Sequence, residues 1–204
     1  AARGGGGGRA RGVELAGRGG GVDVMTRGPA EPHERELEPG IILHGRAAGP
    51  RGPLLKADLA NVTDEFGEAV AALARRQSER FDLIHAHYWL SGIATLPVAL
   101  ELGVPFVQSF HTLAAMKNAL SPLPGAASGS REPDRRRHSE AYLAAGAAAA
   151  IAGSAAEATF LVDVVRAPAE RVWVIPPGVD VDLFRPNRAE ADEKVRSEWA
   201  IASG

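Results

Sequence analysis

The stretch that decides the fold is residues 81–92, FDLIHAHYWLSG, together with residues 104–112, VPFVQSFHT. Each begins as a short apolar run and ends in polar side chains, which is typical of a buried parallel strand whose carboxyl end faces a binding crevice. Between them, residues 91–103 carry apolar side chains and stop at Gly103, which predicts a crossover helix with a glycine cap. The sequence therefore predicts a β-α-β unit that brings two strand ends to one site.

The rest of the chain continues this alternation. Further strands are predicted at residues 22–26, 41–44, 147–152 and 171–175, helices at 54–80, 113–120, 131–145 and 154–165, and loops at 27–40 and 45–53. The alanine-rich residues 147–152 would favour a helix by propensity, but Ser154 and Glu157 have the spacing of a capping box that begins a new helix. A short buried strand is therefore predicted there. The whole pattern predicts an α/β fold with a doubly wound, Rossmann-like parallel sheet.

Composition limits the class of protein. The chain has 204 residues, 45% of them hydrophobic, and a net charge of −2, which fits one globular domain and gives no reason to expect a nucleic-acid partner. It has no cysteine, so disulfides and thiolate zinc sites are excluded, and a reducing cytoplasm is the expected location. No run approaches the ~18 apolar residues of a transmembrane segment. The start lacks Met and a signal-peptide core, so both ends are expected to be truncated.

Four features are expected to converge on the carboxyl edge of the sheet. They are Tyr88, the pair His111 and Thr112, Lys56 at the head of the long predicted helix, and the arginine cluster at residues 135–137. A lysine charge, an arginine fork and two hydroxyl donors suit a phosphate, since charge-assisted hydrogen bonds are stronger than neutral ones. Each feature alone also fits ordinary packing, capping or a solvated surface. Their convergence predicts an anion site.

Other chemistries fit the sequence less well. His85, His87 and His111 suggest a metal, but no acidic ligand is fixed near them, so no metal site is predicted. A serine hydrolase is excluded because no Gly-x-Ser-x-Gly elbow occurs. The glycine run at residues 4–8 has no strand before it, so it indicates a flexible low-complexity segment rather than a dinucleotide site. No bound cofactor is predicted.

Four motifs together resemble a known family: residues 82–92, 111–118, 131–140 and 174–186. They are similar to the N-terminal half of retaining glycosyltransferases of family 4, which have the GT-B fold. Within that family the likeness is greatest to the branch that glycosylates inositol phosphate in mycothiol biosynthesis. Composition marks residues 1–11 as a glycine-rich, low-complexity start. The resemblance implies an acceptor-binding domain at 12–186 and the beginning of a linker and donor domain at 187–204.

The resemblance also implies a reaction and its residues. A hexose, N-acetylglucosamine in this branch, would pass from a UDP-sugar bound by a second domain to an inositol phosphate or similar phosphorylated acceptor. His111 matches the catalytic histidine that lies against the donor sugar, and the enzyme needs no nucleophile of its own. The acceptor phosphate would be held by Lys56, Tyr88, Thr112 and Arg136, with Arg135 or Arg137 as alternatives to Arg136.

The sequence departs from the family pattern in two places. The first strand is missing, and the glycine run that should follow it lacks the asparagine that contacts inositol. The donor domain is absent after Gly204, so this chain alone is not expected to catalyse transfer. Two other functions stay open: a family 4 enzyme with a lipid or sugar acceptor, and a truncated, non-catalytic Rossmann-like binding module. The sequence allows a homodimer.

Overall fold

The structure is a computed structural model that describes residues 19–28, 32–76, 81–119 and 134–181. Within these ranges the chain forms seven strands and five α-helices. The strands are β1 (Val22–Arg27), β2 (His33–Glu38), β3 (Ile41–Arg46), β4 (Ile84–His87), β5 (Phe106–Ser109), β6 (Ala149–Ala152) and β7 (Val172–Val174). The helices are α1 (Thr63–Arg76), α2 (Trp89–Leu102), α3 (Ala114–Ala119), α4 (Asp134–Gly146) and α5 (Ala155–Asp163).

The predicted β-α-β unit is confirmed. Strands β4, β5, β6 and β7 form a parallel sheet in that order, and α2 connects β4 to β5. The helix ends at Gly103, whose φ of 68° is the left-handed conformation that glycine adopts at low cost. Because the strands are parallel, the segments that follow β4 and β5 lie at the same edge of the sheet. That edge carries Tyr88 and the loop at residues 110–113.

The alanine-rich strand β6 is also confirmed. Ser154 Oγ accepts a hydrogen bond of 3.1 Å from Glu157 N, which begins α5 as the capping box predicts. Ala150 and Ala152 are fully buried against a core that includes Phe110 and Leu161. Tertiary packing therefore overrides the helix propensity of alanine in this segment.

Strand β2 corrects the loop predicted over residues 27–40. It pairs antiparallel with β3 at the edge of a separate three-stranded sheet, in which β1 and β3 are parallel. The prediction was wrong because this edge strand, HERELE, lacks the alternation of apolar and polar residues that marks a half-buried strand. Its backbone pairing with β3 and the ion pair between Glu34 and Arg46, 2.6 Å long, hold it in place instead.

Helix α1 corrects the helix predicted from residue 54. It begins at Thr63, preceded by a turn at residues 56–58 and a 3-10 helix, Leu59–Asn61. Asp64 and Glu65 in its first turn favour a start there, because acidic side chains stabilise a helix amino end. Lys56 is therefore an exposed residue of the turn rather than the head of the helix. The predicted residues 77–80 lie outside the described part of the chain.

The stability of the protein is expected to depend on pH through Glu34. Hydrogen bonds from Arg46 and His44 hold the pKa of this carboxyl below its ordinary value of 4.5. A lowered carboxyl pKa adds stability that is present above the ordinary value and is lost as pH falls through the lowered one. We expect the wild type to be more stable than Glu34→Gln at neutral pH, with a difference that shrinks in urea titrations below pH 4.5. Glu36→Gln on the same strand is the control, and a difference that persists in acid would contradict the prediction.

Candidate functional site

Two strained residues mark the ends of β4 and β5. Tyr88 has φ 73° and ψ 153°, and His111 has φ 63°. Such conformations cost non-glycine residues of order 1–3 kcal/mol each and persist only where the surroundings impose them. At Tyr88, the backbone N donates to Ser109 O (2.8 Å), and the buried Gln108 side chain donates to Tyr88 O (3.3 Å). Both strained positions were predicted from the sequence as site residues.

Arg136 connects these strand ends to α4. Its side chain is 1% exposed, and its guanidinium lies 5.1 Å from the centre of the Tyr88 ring, a cation-π arrangement. Its Nη2 donates to the backbone O of Thr112 (2.6 Å) and to Thr112 Oγ1 (3.0 Å). Since Thr112 Oγ1 accepts from Arg136, the proton of this hydroxyl can be donated to another group. Tyr88, Thr112 and Arg136 are thus brought together as the sequence predicts.

Glu140 is a residue of this site to which the sequence reasoning gave no role. It is 1% exposed, and its Oε1 accepts from Arg136 Nε (2.7 Å). Both of its carboxylate oxygens also accept from Ala114 N, at 3.1 and 3.0 Å, which holds the amino end of α3. Glu140 therefore ties α4 to the loop that carries His111 and Thr112. The i, i+4 spacing from Arg136 was the signal that could have found it.

Three histidines form a row across the two strand ends. The rings of His85 and His87 stack with centroids 4.4 Å apart, and the rings of His87 and His111 with centroids 5.1 Å apart. His85 Nε2 is 2.9 Å from Ser109 Oγ, and His87 Nδ1 is 2.8 Å from His111 Nε2. Across residues 19–28, 32–76, 81–119 and 134–181, no group of three or more potential ligands is arranged to hold a metal ion.

The remaining predicted cations, Lys56, Arg135 and Arg137, are all exposed. Arg135 Nη2 donates to Ala60 O (3.1 Å), which joins the first turn of α4 to the 3-10 helix Leu59–Asn61. Arg137 is exposed and bonds Asp134 Oδ1 at 3.4 Å. Lys56 is exposed four residues before Ala60. Of the three alternative arginines, Arg136 is the one that contacts Tyr88 and Thr112.

The fold and this edge of the sheet define a class of protein. Residues 12–183 match the family described as Glycosyltransferase Family 4. The chain belongs to glycosyltransferase family 4, as its motifs predict. No helix in the described ranges is long and apolar enough to cross a membrane.

Two relatives that share one name are similar to most of this chain. The chain is 41% identical to the D-inositol 3-phosphate glycosyltransferase of Thermobifida fusca over 184 residues, which cover 87% of this chain and 41% of the relative. It is 36% identical over 192 residues to the protein of the same name from Paenarthrobacter aurescens, covering 92% of this chain and 46% of that protein. The chain thus spans less than half the length of these relatives.

A solved structure of another protein has a similar fold. The chain is similar to the sucrose-phosphate synthase of Thermosynechococcus elongatus, with a TM-score of 0.75 and 25% identity. The match covers 95% of this chain and 46% of that one. The predicted fold class, an α/β half of a GT-B glycosyltransferase, is confirmed. Strand β2 differs from the prediction because it pairs antiparallel with β3.

Proposed function

We propose that the chain is the acceptor-binding half of a retaining glycosyltransferase that transfers a hexose from a UDP-sugar to an inositol phosphate or a similar phosphorylated acceptor. The observation that carries this proposal is the cluster in which buried Arg136 holds Thr112 and lies against Tyr88. The names of the relatives support the inositol phosphate acceptor. N-acetylglucosamine as the hexose rests on the sequence resemblance alone.

The proposed acceptor site uses complementary donors. Thr112 and Tyr88 would offer hydroxyl protons, buried Arg136 would orient Thr112 through its two hydrogen bonds, and Lys56 would supply a positive charge from the exposed turn. A phosphate dianion gains more from such donors than a neutral sugar hydroxyl does, because hydrogen bonds to a charged group are about twice as strong. The site would thereby select the phosphorylated acceptor and fix its orientation.

The proposed reaction is driven by positioning. With the acceptor phosphate anchored, one inositol hydroxyl is held against the donor sugar, which a second domain outside this chain would present. Such orientation converts an encounter of two substrates into a step within one complex. His111, two residues beyond β5, would contact the donor sugar. The protein would stabilise the leaving diphosphate by charge and would form no covalent intermediate.

Lys56→Ala tests the acceptor site. In calorimetric titration we expect inositol phosphate to bind the protein and unphosphorylated inositol not to bind. A hydrogen bond to a charged group contributes about 1.5–3 kcal/mol, so we expect Lys56→Ala to weaken phosphate-dependent binding by at least tenfold.

Arg76→Ala is the matched control, because Arg76 is an exposed cation at the last residue of α1. We expect that variant to bind inositol phosphate as the wild type does. Equal binding of phosphorylated and unphosphorylated inositol would point to a sugar acceptor. Absence of binding by a folded protein would contradict the inositol phosphate proposal and favour another acceptor.

A further inference from the structure

The bond between His87 and His111 joins a strand residue to the exposed residue beyond the neighbouring strand. His87 is the last residue of β4, whereas His111 lies two residues beyond the end of β5. Their nitrogens are 2.8 Å apart and their rings are nearly parallel, at 12°. The distance is that of a hydrogen bond, so the contact is more than ring packing.

A bond between two imidazole nitrogens couples the proton positions of the two rings. One nitrogen must carry the proton and the other must offer its lone pair. In neutral imidazole the two ring nitrogens have opposite roles, so committing Nε2 of His111 also commits Nδ1. An exposed histidine without such a partner exchanges between its two tautomers. The contact with His87 therefore links the tautomer of His87 to the role that the other nitrogen of His111 can take toward a substrate.

The row of rings also limits how His111 can move. His87 stacks on His85, and His85 is hydrogen-bonded to Ser109 of the adjacent strand. The row thus connects an exposed ring to two paired strands of the parallel sheet. His111 needs such support because its backbone has a φ of 63°, a conformation that surrounding contacts must maintain.

We infer that His87 is a positioning residue that holds the His111 imidazole in one tautomer and one orientation. The inference rests on the proposed function in one respect, namely that His111 faces the donor sugar. A fixed tautomer would present either a donor or an acceptor to that sugar, but not a mixture of both. His87 itself acts through His111 and needs no contact with the substrate.

Imidazole nitrogen spectra test the inference without any substrate. In two-bond ¹H–¹⁵N correlation spectra, assigned with His111→Asn, we expect wild-type His111 to show one protonated and one unprotonated nitrogen. His87→Phe keeps a stacking ring but offers no nitrogen, so we expect the His111 signals to move toward averaged positions. His87→Asn places an amide near the position of Nδ1, and we expect it to restore the wild-type pattern. His138→Asn, an exposed histidine on α4, is the control.

Two results in these spectra would overturn the inference. The first is averaged His111 nitrogens in the wild type, which is decisive even if His87→Phe does not fold. The second is an unchanged His111 spectrum in folded His87→Phe. Because no ligand is present, these spectra can succeed where the inositol phosphate titration fails, so the two proposals are tested separately.

Kinetics of the full-length protein complete the test. We expect His87→Phe to lower kcat about 10–100-fold with little change in KM for either substrate, since small misplacements of a reacting group slow the chemical step. We expect His87→Asn to recover most of kcat. A changed His111 spectrum with an unchanged kcat would overturn the positioning role in catalysis.

Discussion

Replacing Glu140 with glutamine should lower the free energy of unfolding by about 3–5 kcal/mol. Glu140 and Arg136 are each 1% exposed, so the substitution removes a negative charge held 2.7 Å from a buried guanidinium. The glutamine NH2 group also meets the N–H of Ala114 in either orientation of the amide, because both carboxylate oxygens of Glu140 accept from that backbone nitrogen. For a domain of this size the loss corresponds to a decrease of roughly 10 °C in Tm.

The chain offers a matched control in Glu101. It forms an ion pair with Arg75 at 2.6 Å, but the two side chains are 50% and 52% exposed. Solvent screens such a pair, so we expect Glu101→Gln to cost less than about 1 kcal/mol. Urea denaturation of both variants gives the comparison. Equal losses at the two sites would show that burial of the Arg136 pair adds nothing.

The double variant Arg136→Met with Glu140→Leu separates charge from packing. Removing both partners of a buried pair leaves no uncompensated charge, and apolar replacements of similar volume are often tolerated. We expect the double variant to be more stable than Glu140→Gln, although Thr112 then lacks its guanidinium partner. This pattern would assign the loss in Glu140→Gln to the removed negative charge rather than to lost packing, and additive losses would contradict it.

The sequence correctly predicted those features of the fold that depend on short, local patterns. The polar ends of β4 and β5 identified the edge that carries Tyr88 and Thr112. The capping box at Ser154 outweighed alanine propensity and gave β6 correctly. In each case a short pattern determines the backbone locally, and packing reinforces it.

Long-range contacts account for what the sequence did not show. Strand β2 depends on pairing with β3, which no local pattern in its charged residues reveals. The three arginines at residues 135–137 are equivalent in sequence, and only the packing of α4 buries Arg136 and leaves its neighbours exposed. Likewise, the His87 to His111 bond joins residues far apart in the chain, so the row of rings could not be predicted from either motif.

Substituting Gly67 with alanine should separate α1 from α2. A Cβ at Gly67 would lie closer to the backbone O of Ala94 in α2 than real Cβ contacts allow. The obstacle is backbone, which cannot rotate away, so the helices must move apart and loosen the buried cluster of Val70, Ala71 and Val98. Alanine gains up to about 1 kcal/mol in helix propensity, but overpacking of this kind costs typically 1–3 kcal/mol and occasionally more. We expect a net loss of about 2 kcal/mol in the free energy of unfolding.

Gly146→Ala is the matched control for this substitution. Its Cβ would meet the end of the Leu96 side chain at 3.0 Å, and a leucine methyl group can shift where a carbonyl cannot. The same change of residue in α4 should therefore alter stability by no more than about 0.5 kcal/mol. If Gly67→Ala proved as stable as Gly146→Ala in urea titrations, the close approach of α1 to α2 would not require glycine. Because α2 begins at the strained Tyr88, we also expect Gly67→Ala to weaken inositol phosphate binding, whereas Gly146→Ala leaves it unchanged.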